Sequence, residues 1–260
     1  MNMLPYTSAW PPEWTGRRRS RRLLFGVFYL GVLAALSATA AGWQLLYDDA
    51  GQAVFFAGLA VFLGHLAGLC ASAYRSGQRR ADTTGVRRTA AGLIFPYAPG
   101  ATYLVTATLA MTTLAAGGYA IVAGLRGDWL VAGLFGVVAL PLLAYLVVVL
   151  RLVPAELVIG PDGVHHRGLT FTHFIPWIAL TSARPAWDGG PVIAVGYVGS
   201  ADTRSRDYLG RPMSAPEMVN GRWLAADPGL ALTALQHYIT HPEHRWELTT
   251  DAALPRITAR

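Results

Sequence analysis

The chain has no lysine and, for its length, few charged residues of any kind. All 21 basic residues are arginine. Charged residues make up 14% of the 260 positions, against about 25% in a typical soluble protein, and hydrophobic residues make up 53%. This composition excludes an ordinary soluble protein and indicates a membrane protein. The preference for arginine, alanine and glycine is typical of GC-rich bacterial coding.

Cysteine is nearly absent as well. The single one, Cys70, lies inside an apolar run, so the chain can form no intrachain disulfide and no cysteine metal cluster. The sequence also lacks a phosphate-binding glycine loop, a dinucleotide fingerprint and a nucleophile elbow. We therefore expect neither an enzyme nor a bound cofactor.

Long apolar runs are what the sequence has in abundance. Residues 129–150 hold no charge, and a helix of that length is ~33 Å long, enough to cross a hydrocarbon core. Similar runs at 23–46, 53–74 and 101–125 predict three more spans, joined by short turns as two hairpins. Pro141 should kink the fourth helix. The first run has features of a signal peptide, but its apolar character continues to Leu46, so we expect an uncleaved helix.

The arginines beside these runs predict an orientation. Five lie in residues 1–22 and five in the 75–100 connection, whereas the two opposite turns hold only Arg126. Arginine-rich segments stay in the cytoplasm. The protein is thus expected to be a multi-pass protein of the inner (cell) membrane with both termini cytoplasmic. Because the excess charge lies beside the spans, we expect membrane lipids as partners and no nucleic acid.

Two polar segments flank the first hairpin. Residues 1–22 are expected to be a disordered basic tail whose arginines fix topology or contact anionic lipid. The 75–100 connection is too long for a turn, and residues 92–97 predict a short strand ended by Pro96. That strand would lie either on the membrane surface or against the C-terminal domain, and both alternatives stay open.

Beyond Arg151 the pattern changes to short β-type runs, which predict a water-soluble domain over residues 152–248 and a tail over 249–260. The Pro161-Asp162-Gly163 turn joins the first two strands. Asp227 and Pro228 predict the start of a helix that His241-Pro242 ends. A polar loop is expected at 202–211. The fold class is therefore α+β: four membrane helices followed by a small sheet or barrel with a capping helix.

This domain resembles the bacterial PH-like (pleckstrin-homology-like) domains that often follow transmembrane hairpins. The resemblance covers about 154–248 and depends on residues 157–164 (LVIGPDGV), on Ile175-Pro176-Trp177, on the helix begun by Asp227-Pro228 and on residues 241–245 (HPEHR). It implies a partly open barrel capped by the helix. Phosphoinositide-binding PH domains use basic residues around the first hairpin loop, whereas residues 160–163 carry no cation here.

Few residues suggest chemistry inside the membrane. His65 lies near the middle of the second span, and an ionisable group there is a candidate proton relay or ligand. The alternative, which we favour, is a neutral imidazole that packs within the helix bundle and bonds to Thr106, Ser72 or Thr113.

In the soluble domain, Arg204, Arg206 and Arg211 lie in the predicted loop, where they either contact lipid headgroups or are simply solvated, and both alternatives stay open. His237 and His241 have a spacing that could suit a metal, but no H-E-x-x-H motif is present and Pro242 follows. Solvated histidines at a helix end are the favoured interpretation there, and no metal is expected. His165 and His166 are adjacent on a strand and should face opposite ways.

Two functions follow as hypotheses. The first is a non-enzymatic membrane protein whose PH-like domain binds a protein partner or the lipid surface, so that the chain acts as a scaffold or accessory subunit. The second is a small transporter or channel-like component that uses His65 and the third and fourth helices.

Overall fold

The structure is a computed structural model that describes residues 10–15, 21–47, 49–76, 83, 85–208 and 216–258. It divides into two compact units. The helical unit lies within residues 20–74 and 100–151, and the sheet unit is formed by described residues of 1–19, 75–99 and 152–260. Four long apolar helices and an antiparallel sheet domain make the protein α+β, as predicted.

The helical unit contains the four predicted spans. They are α1 (Arg21–Leu46), α2 (Ala50–Ser76), α3 (Pro99–Leu125) and α4 (Trp129–Leu152), and each is long and apolar enough to cross a membrane. Large apolar side chains such as Phe28, Leu125 and Leu130 point outward. That arrangement suits a lipid solvent, since hydrocarbon does not penalise an outward-facing apolar surface as water does. The chain is a membrane protein.

Small residues mark the closest approaches between these helices. A Cβ placed on Gly26 of α1 would lie 3.2 Å from the Cys70 sulfur of α2, and one on Gly68 of α2 would lie 3.2 Å from Leu104 of α3. The turn after α3 places Gly127 at φ +84°, which favours glycine. α4 continues through Pro141 as one helix.

The sheet unit contains two antiparallel sheets. The six-stranded sheet has the order β1-β2-β3-β4-β5-β8, and the three-stranded sheet has the order β6-β7-β9. The strands are β1 (Arg87–Thr89), β2 (Gly92–Pro96), β3 (Glu156–Ile159), β4 (Gly163–Arg167), β5 (Phe171–Pro176), β6 (Leu180–Trp187), β7 (Pro191–Tyr197), β8 (Arg204–Asp207) and β9 (Glu217–Asn220). The hairpin predicted around Pro161-Asp162-Gly163 joins β3 to β4.

β2 and β3 are neighbours in the sheet although α3 and α4 lie between them in the chain. Phe95 pairs with Leu157 and Leu93 with Ile159, and all four side chains are fully buried. Gly92 opens β2 at φ +124°, where a side chain would clash with the Ile159 carbonyl. Of the two alternatives left open for residues 92–97, the structure therefore has the strand inside the sheet.

The helix α5 (Pro228–Thr240) packs against β6 and β7. The Asp227 carboxylate accepts a hydrogen bond from the Gly229 amide at 2.8 Å, and Pro228 occupies the first turn, as the sequence predicts. The fully buried Leu230, Leu235 and Tyr238 face the common core. A 3₁₀ helix (Pro242–Thr249) and α6 (Ala253–Thr258) follow.

Three expectations about the termini and the loop differ from the structure. Trp10 and Trp14, expected in a disordered tail, are buried in the core of the sheet unit. Their indole N–H groups donate to the Asp227 carboxylate at 2.9 Å and to the Ala186 carbonyl at 2.7 Å. Residues 253–258, expected in a tail, form α6 with Ile257 buried. Part of the predicted polar loop is the strand β8.

Candidate functional site

His65 packs inside the helical unit, half-buried. Its Nδ1 lies 2.8 Å from the Val61 carbonyl one turn earlier on α2 and therefore donates to it. Its Nε2 lies 3.4 Å from the Tyr103 hydroxyl on α3, and the two rings are 5.9 Å apart between centroids. Both ring nitrogens thus have partners, and they differ from the threonines and serine expected from the sequence.

The two threonines proposed beside His65 lie elsewhere on α3. Thr113 is buried, and its hydroxyl donates to the Leu109 carbonyl of its own helix at 2.8 Å. Thr106 is half-buried. The expected group of His65, Thr106 and Thr113 is therefore not joined by hydrogen bonds among the described residues.

Arg204 and Arg206 are exposed on β8, the edge strand of the six-stranded sheet. The Arg206 guanidinium lies 5.5 Å from the centre of the Tyr208 ring. Arg211 lies outside the described residues. The β8 ladder brings the first two arginines beside β5, because Arg206 pairs with Thr172 and Arg204 with Phe174.

An open groove of about 870 Å³ covers the outer face of this sheet. Two rows of side chains cross it from strand to strand. One row runs from Glu156 through Arg167 and Thr172 to Arg206, and the other from Val158 through His165 and Phe174 to Arg204. Three arginines thus line one face, and no ion pair is formed by Arg167 or Arg204 within the described part of the chain.

A second cluster lies buried on the inner face. His166 of β4 and His173 of β5 are cross-strand neighbours, 2% and 7% exposed. Glu217, the first residue of β9, reaches them from the other sheet. Its Oε1 lies 2.8 Å from His166 Nδ1 and 3.0 Å from His173 Nδ1. The Tyr97 hydroxyl lies 2.9 Å from His166 Nε2.

The surroundings shift the pKa values of two groups in this cluster. Burial by itself raises the pKa of Glu217, but contacts with His166 and His173 outweigh it and lower that pKa to about 2. Burial and the nearby Glu217 carboxylate raise the pKa of Tyr97 well above its usual value of 10. The cluster therefore combines an ionised carboxylate with a protonated phenol.

The C-terminal histidines form a third cluster that the sequence only partly anticipated. His237 Nε2 lies 3.0 Å from His244 Nδ1, and the rings of His237 and His241 are 4.8 Å apart. The interpretation as solvated helix-end histidines is wrong for His237, which is buried; His241 and His244 are half-exposed. Polar atoms of His241, Glu243 and His244 also lie close enough together for a metal.

His165 and His166 face opposite sides of β4, as the strand alternation predicts. Sequence reasoning missed the partner of His166, because His173 and Glu217 are 7 and 51 positions away. The one sequence feature that could have indicated this cluster is the presence of His166 and His173 at inward-facing positions of two neighbouring strands.

Fold and site together define a class: membrane proteins with four apolar helices and one antiparallel sheet domain. No known family model matches the chain, and neither a curated protein nor a solved structure matches it.

Proposed function

We propose that this protein is a non-enzymatic scaffold or accessory subunit of the cell membrane whose sheet unit binds anionic lipid headgroups through the groove on its outer face. One observation carries the proposal: Arg167, Arg204 and Arg206 line the same open groove. Arginine guanidinium groups bind phosphate oxygens with paired, charge-assisted hydrogen bonds. Arg167 and Arg204, which form no ion pair with another described residue, are available for such a ligand.

The chemistry of the groove supports a headgroup more than a protein partner. Phe174 on β5 supplies an apolar surface between the arginines of β4 and β8, and Val158 adds another on β3. Glu156 and Asp162 are the only acidic residues among the described lining. A phosphodiester with a glycerol backbone offers both a charge and apolar atoms to such a surface. The alternative is that the groove binds a protein partner, and crosslinking with headgroup probes distinguishes a bound lipid from a bound protein.

The order of elements supports an arrangement with the three stretches of the sheet unit on one side of the bilayer. Trp10 and Trp14, the strands β1 and β2, and the described residues after α4 belong to one folded unit. A pair of spans separates each of these segments from the next. We propose that this side is cytoplasmic, because arginine-rich flanks stay inside.

The PH-like assignment of the sheet unit stays part of the proposal. Antiparallel sheets with a C-terminal helix packed on them support it. The turn between β3 and β4, which phosphoinositide-binding PH domains furnish with basic residues, has none among residues 160–163. We therefore place headgroup binding on the outer sheet face and not at that turn.

The test uses the full chain in nanodiscs with photoreactive lipids that carry the crosslinker on the headgroup. With an anionic phosphatidylglycerol probe we expect crosslinks in peptides of β4, β5 and β8, and few with a neutral phosphatidylcholine probe. Arg204→Gln combined with Arg206→Gln should reduce the anionic crosslinks severalfold. High salt should reduce them as well, because exposed charges are screened.

Arg184→Gln is the matched control, since Arg184 is an exposed arginine on β6, in the other sheet. It removes one charge of the same kind and should leave labelling of β4, β5 and β8 unchanged. Equal labelling by the phosphatidylglycerol and phosphatidylcholine probes would contradict headgroup binding. So would a loss of anionic crosslinks in Arg184→Gln as large as that in the Arg204→Gln/Arg206→Gln variant. Purification with a protein that protects the groove from both probes would favour a protein partner instead.

Transport through the helical unit is the second candidate, kept because His65 and Tyr103 contact each other between α2 and α3. Proton-coupled flux in liposomes that His65→Ala abolishes would support it. We rank it lower because the His65 Nδ1 is held by the Val61 carbonyl.

A further inference from the structure

We propose that His166, His173 and Glu217 form a binding site for one divalent transition-metal ion of the zinc class between the two sheets of the sheet unit. This inference does not depend on headgroup binding: the groove arginines project from the opposite face of the β4–β5 ladder, although His166 and His173 also border the groove. It also departs from the expectation that the protein binds no metal.

The ligand atoms already converge. One atom from each of the three residues lies within 4.8 Å of the other two. Donors bound to zinc at about 2.0–2.1 Å in a tetrahedral arrangement are separated by roughly 3.3 Å. The Glu217 Oε1 lies 2.8 and 3.0 Å from the two Nδ1 atoms, so displacements of a few tenths of an ångström would bring the carboxylate oxygen to the zinc-bound separation from each nitrogen.

His173 supplies the second, independent observation. It is 7% exposed, yet neither ring nitrogen has a hydrogen bond of acceptable geometry among the described residues. Its Nδ1 is close to Glu217 but poorly directed toward it, and its Nε2 has no partner. Buried polar groups are nearly always hydrogen-bonded. A ligand that takes up the lone pair of Nδ1 would account for this orientation.

The surroundings match those of metal-bound histidines. Such a histidine almost always donates its other ring N–H to a polar group that fixes its orientation. The Tyr97 hydroxyl lies 2.9 Å from His166 Nε2 and can accept that proton when Nδ1 binds the metal. Phe171 stacks on His173 with 4.5 Å between ring centroids and fixes the second imidazole.

The donor set identifies the class of ion. Two imidazoles and one carboxylate suit zinc and its first-row neighbours, whereas calcium and magnesium prefer oxygen ligands alone. Three protein ligands leave one coordination position for water or a further ligand. The ion would join β4 and β5 of one sheet to β9 of the other.

The test uses the full chain in mild detergent, stripped with chelator, reloaded with Zn²⁺ and measured for bound metal by mass spectrometry. The exposed group of His241, Glu243 and His244 could bind zinc on its own. All measurements are therefore made in a His241→Gln/His244→Gln background. We expect about one tightly held zinc in that background and at least a tenfold loss of affinity with Glu217→Gln.

His165→Gln is the control, because this neighbour of His166 is exposed on the other face of β4. It should leave the zinc content unchanged. Tyr97→Phe should weaken zinc binding by roughly tenfold, an effect that a purely packing role of the ring would not produce. Equal zinc affinity in the background protein and in Glu217→Gln would overturn the proposal.

A spectroscopic measurement covers the case in which Glu217→Gln does not fold. Co²⁺ added to the background protein, with the buried cluster intact, should give the intense absorption of a four- or five-coordinate site, and Zn²⁺ should abolish it. Only the weak absorption of six-coordinate, solvated Co²⁺ would overturn the proposal.

Discussion

Glu247 shows how one carboxylate ties the last helix to the sheet unit. It is buried, and the Arg256 guanidinium of α6 holds it through two contacts, at 2.6 and 3.0 Å. The hydrogen bonds from Arg256 lower the pKa of Glu247 below its usual value of 4.5. A carboxylate whose pKa is lower in the folded than in the unfolded chain adds stability above the unfolded value. That stability disappears as the pH falls through the folded pKa.

We therefore expect the sheet unit to lose stability as the pH falls below about 4.5, and Glu247→Gln to flatten that loss. The variant should be less stable than the parent at pH 7, and the difference should shrink in acid. Urea midpoints from pulse proteolysis of the full chain in detergent, taken from pH 7 to pH 3, measure it. Glu13→Gln is the control, since Glu13 is an exposed glutamate of the same unit. A pH profile of Glu247→Gln that is parallel to the parent would contradict the prediction.

The elements of this protein divide into those with a local signal and those defined only by distant partners. α1 to α4 were predictable because the apolar run itself specifies a spanning helix. α5 was predictable because Asp227, Pro228 and Pro242 mark its ends. β8 was missed since residues 204–207 are all polar, as an exposed edge strand allows, and no alternation marks them.

The N-terminal segment and the buried histidine cluster are defined by distant partners and have no local sequence signal. A tryptophan beside a proline pair has no local feature that distinguishes an interfacial position from a docked one. Trp14 is buried in a core formed by distant elements, and its N–H donates to the Ala186 carbonyl of β6, 172 positions away. The histidine cluster likewise needs β4, β5 and β9 to be assembled. Pairings over such distances are not encoded in any one window of the sequence.

Docking of the N-terminal segment leads to a prediction about stability. Trp14 is 2% exposed in the core, and truncation of a buried tryptophan costs about 3 kcal/mol. Trp14→Ala should therefore lower the urea midpoint of the sheet unit markedly, whereas Glu13→Ala, at an exposed position, should change it little. Pulse proteolysis with a blot against a C-terminal tag measures both. Equal midpoints for the two variants would show that the segment contributes no stability.

At the scale of the whole molecule, the sheet unit is assembled from three stretches of chain that the membrane helices interrupt. β2 pairs with β3 although α3 and α4 lie between them in the sequence, and the Trp10 N–H donates to the Asp227 carboxylate although all four long helices lie between those residues in the sequence. A sheet cannot form through a bilayer, so each interruption must contain an even number of crossings. The arginine distribution independently predicts the same even number of crossings, because arginine-rich segments beside membrane helices stay in the cytoplasm.

Single cysteines in a Cys70→Ser background test that arrangement in intact cells. Thr15→Cys, Arg87→Cys and Arg184→Cys lie at exposed positions in the three stretches, and Arg126→Cys lies in the turn between α3 and α4. An impermeant maleimide should label only Arg126→Cys until the cells are opened, after which the other three should react. Because β2 pairs with β3 and the N-terminal tryptophans dock in the same core, the three must share one side even if the orientation is inverted. A split among them would contradict the four crossings, whereas a common exterior location would contradict only the cytoplasmic assignment.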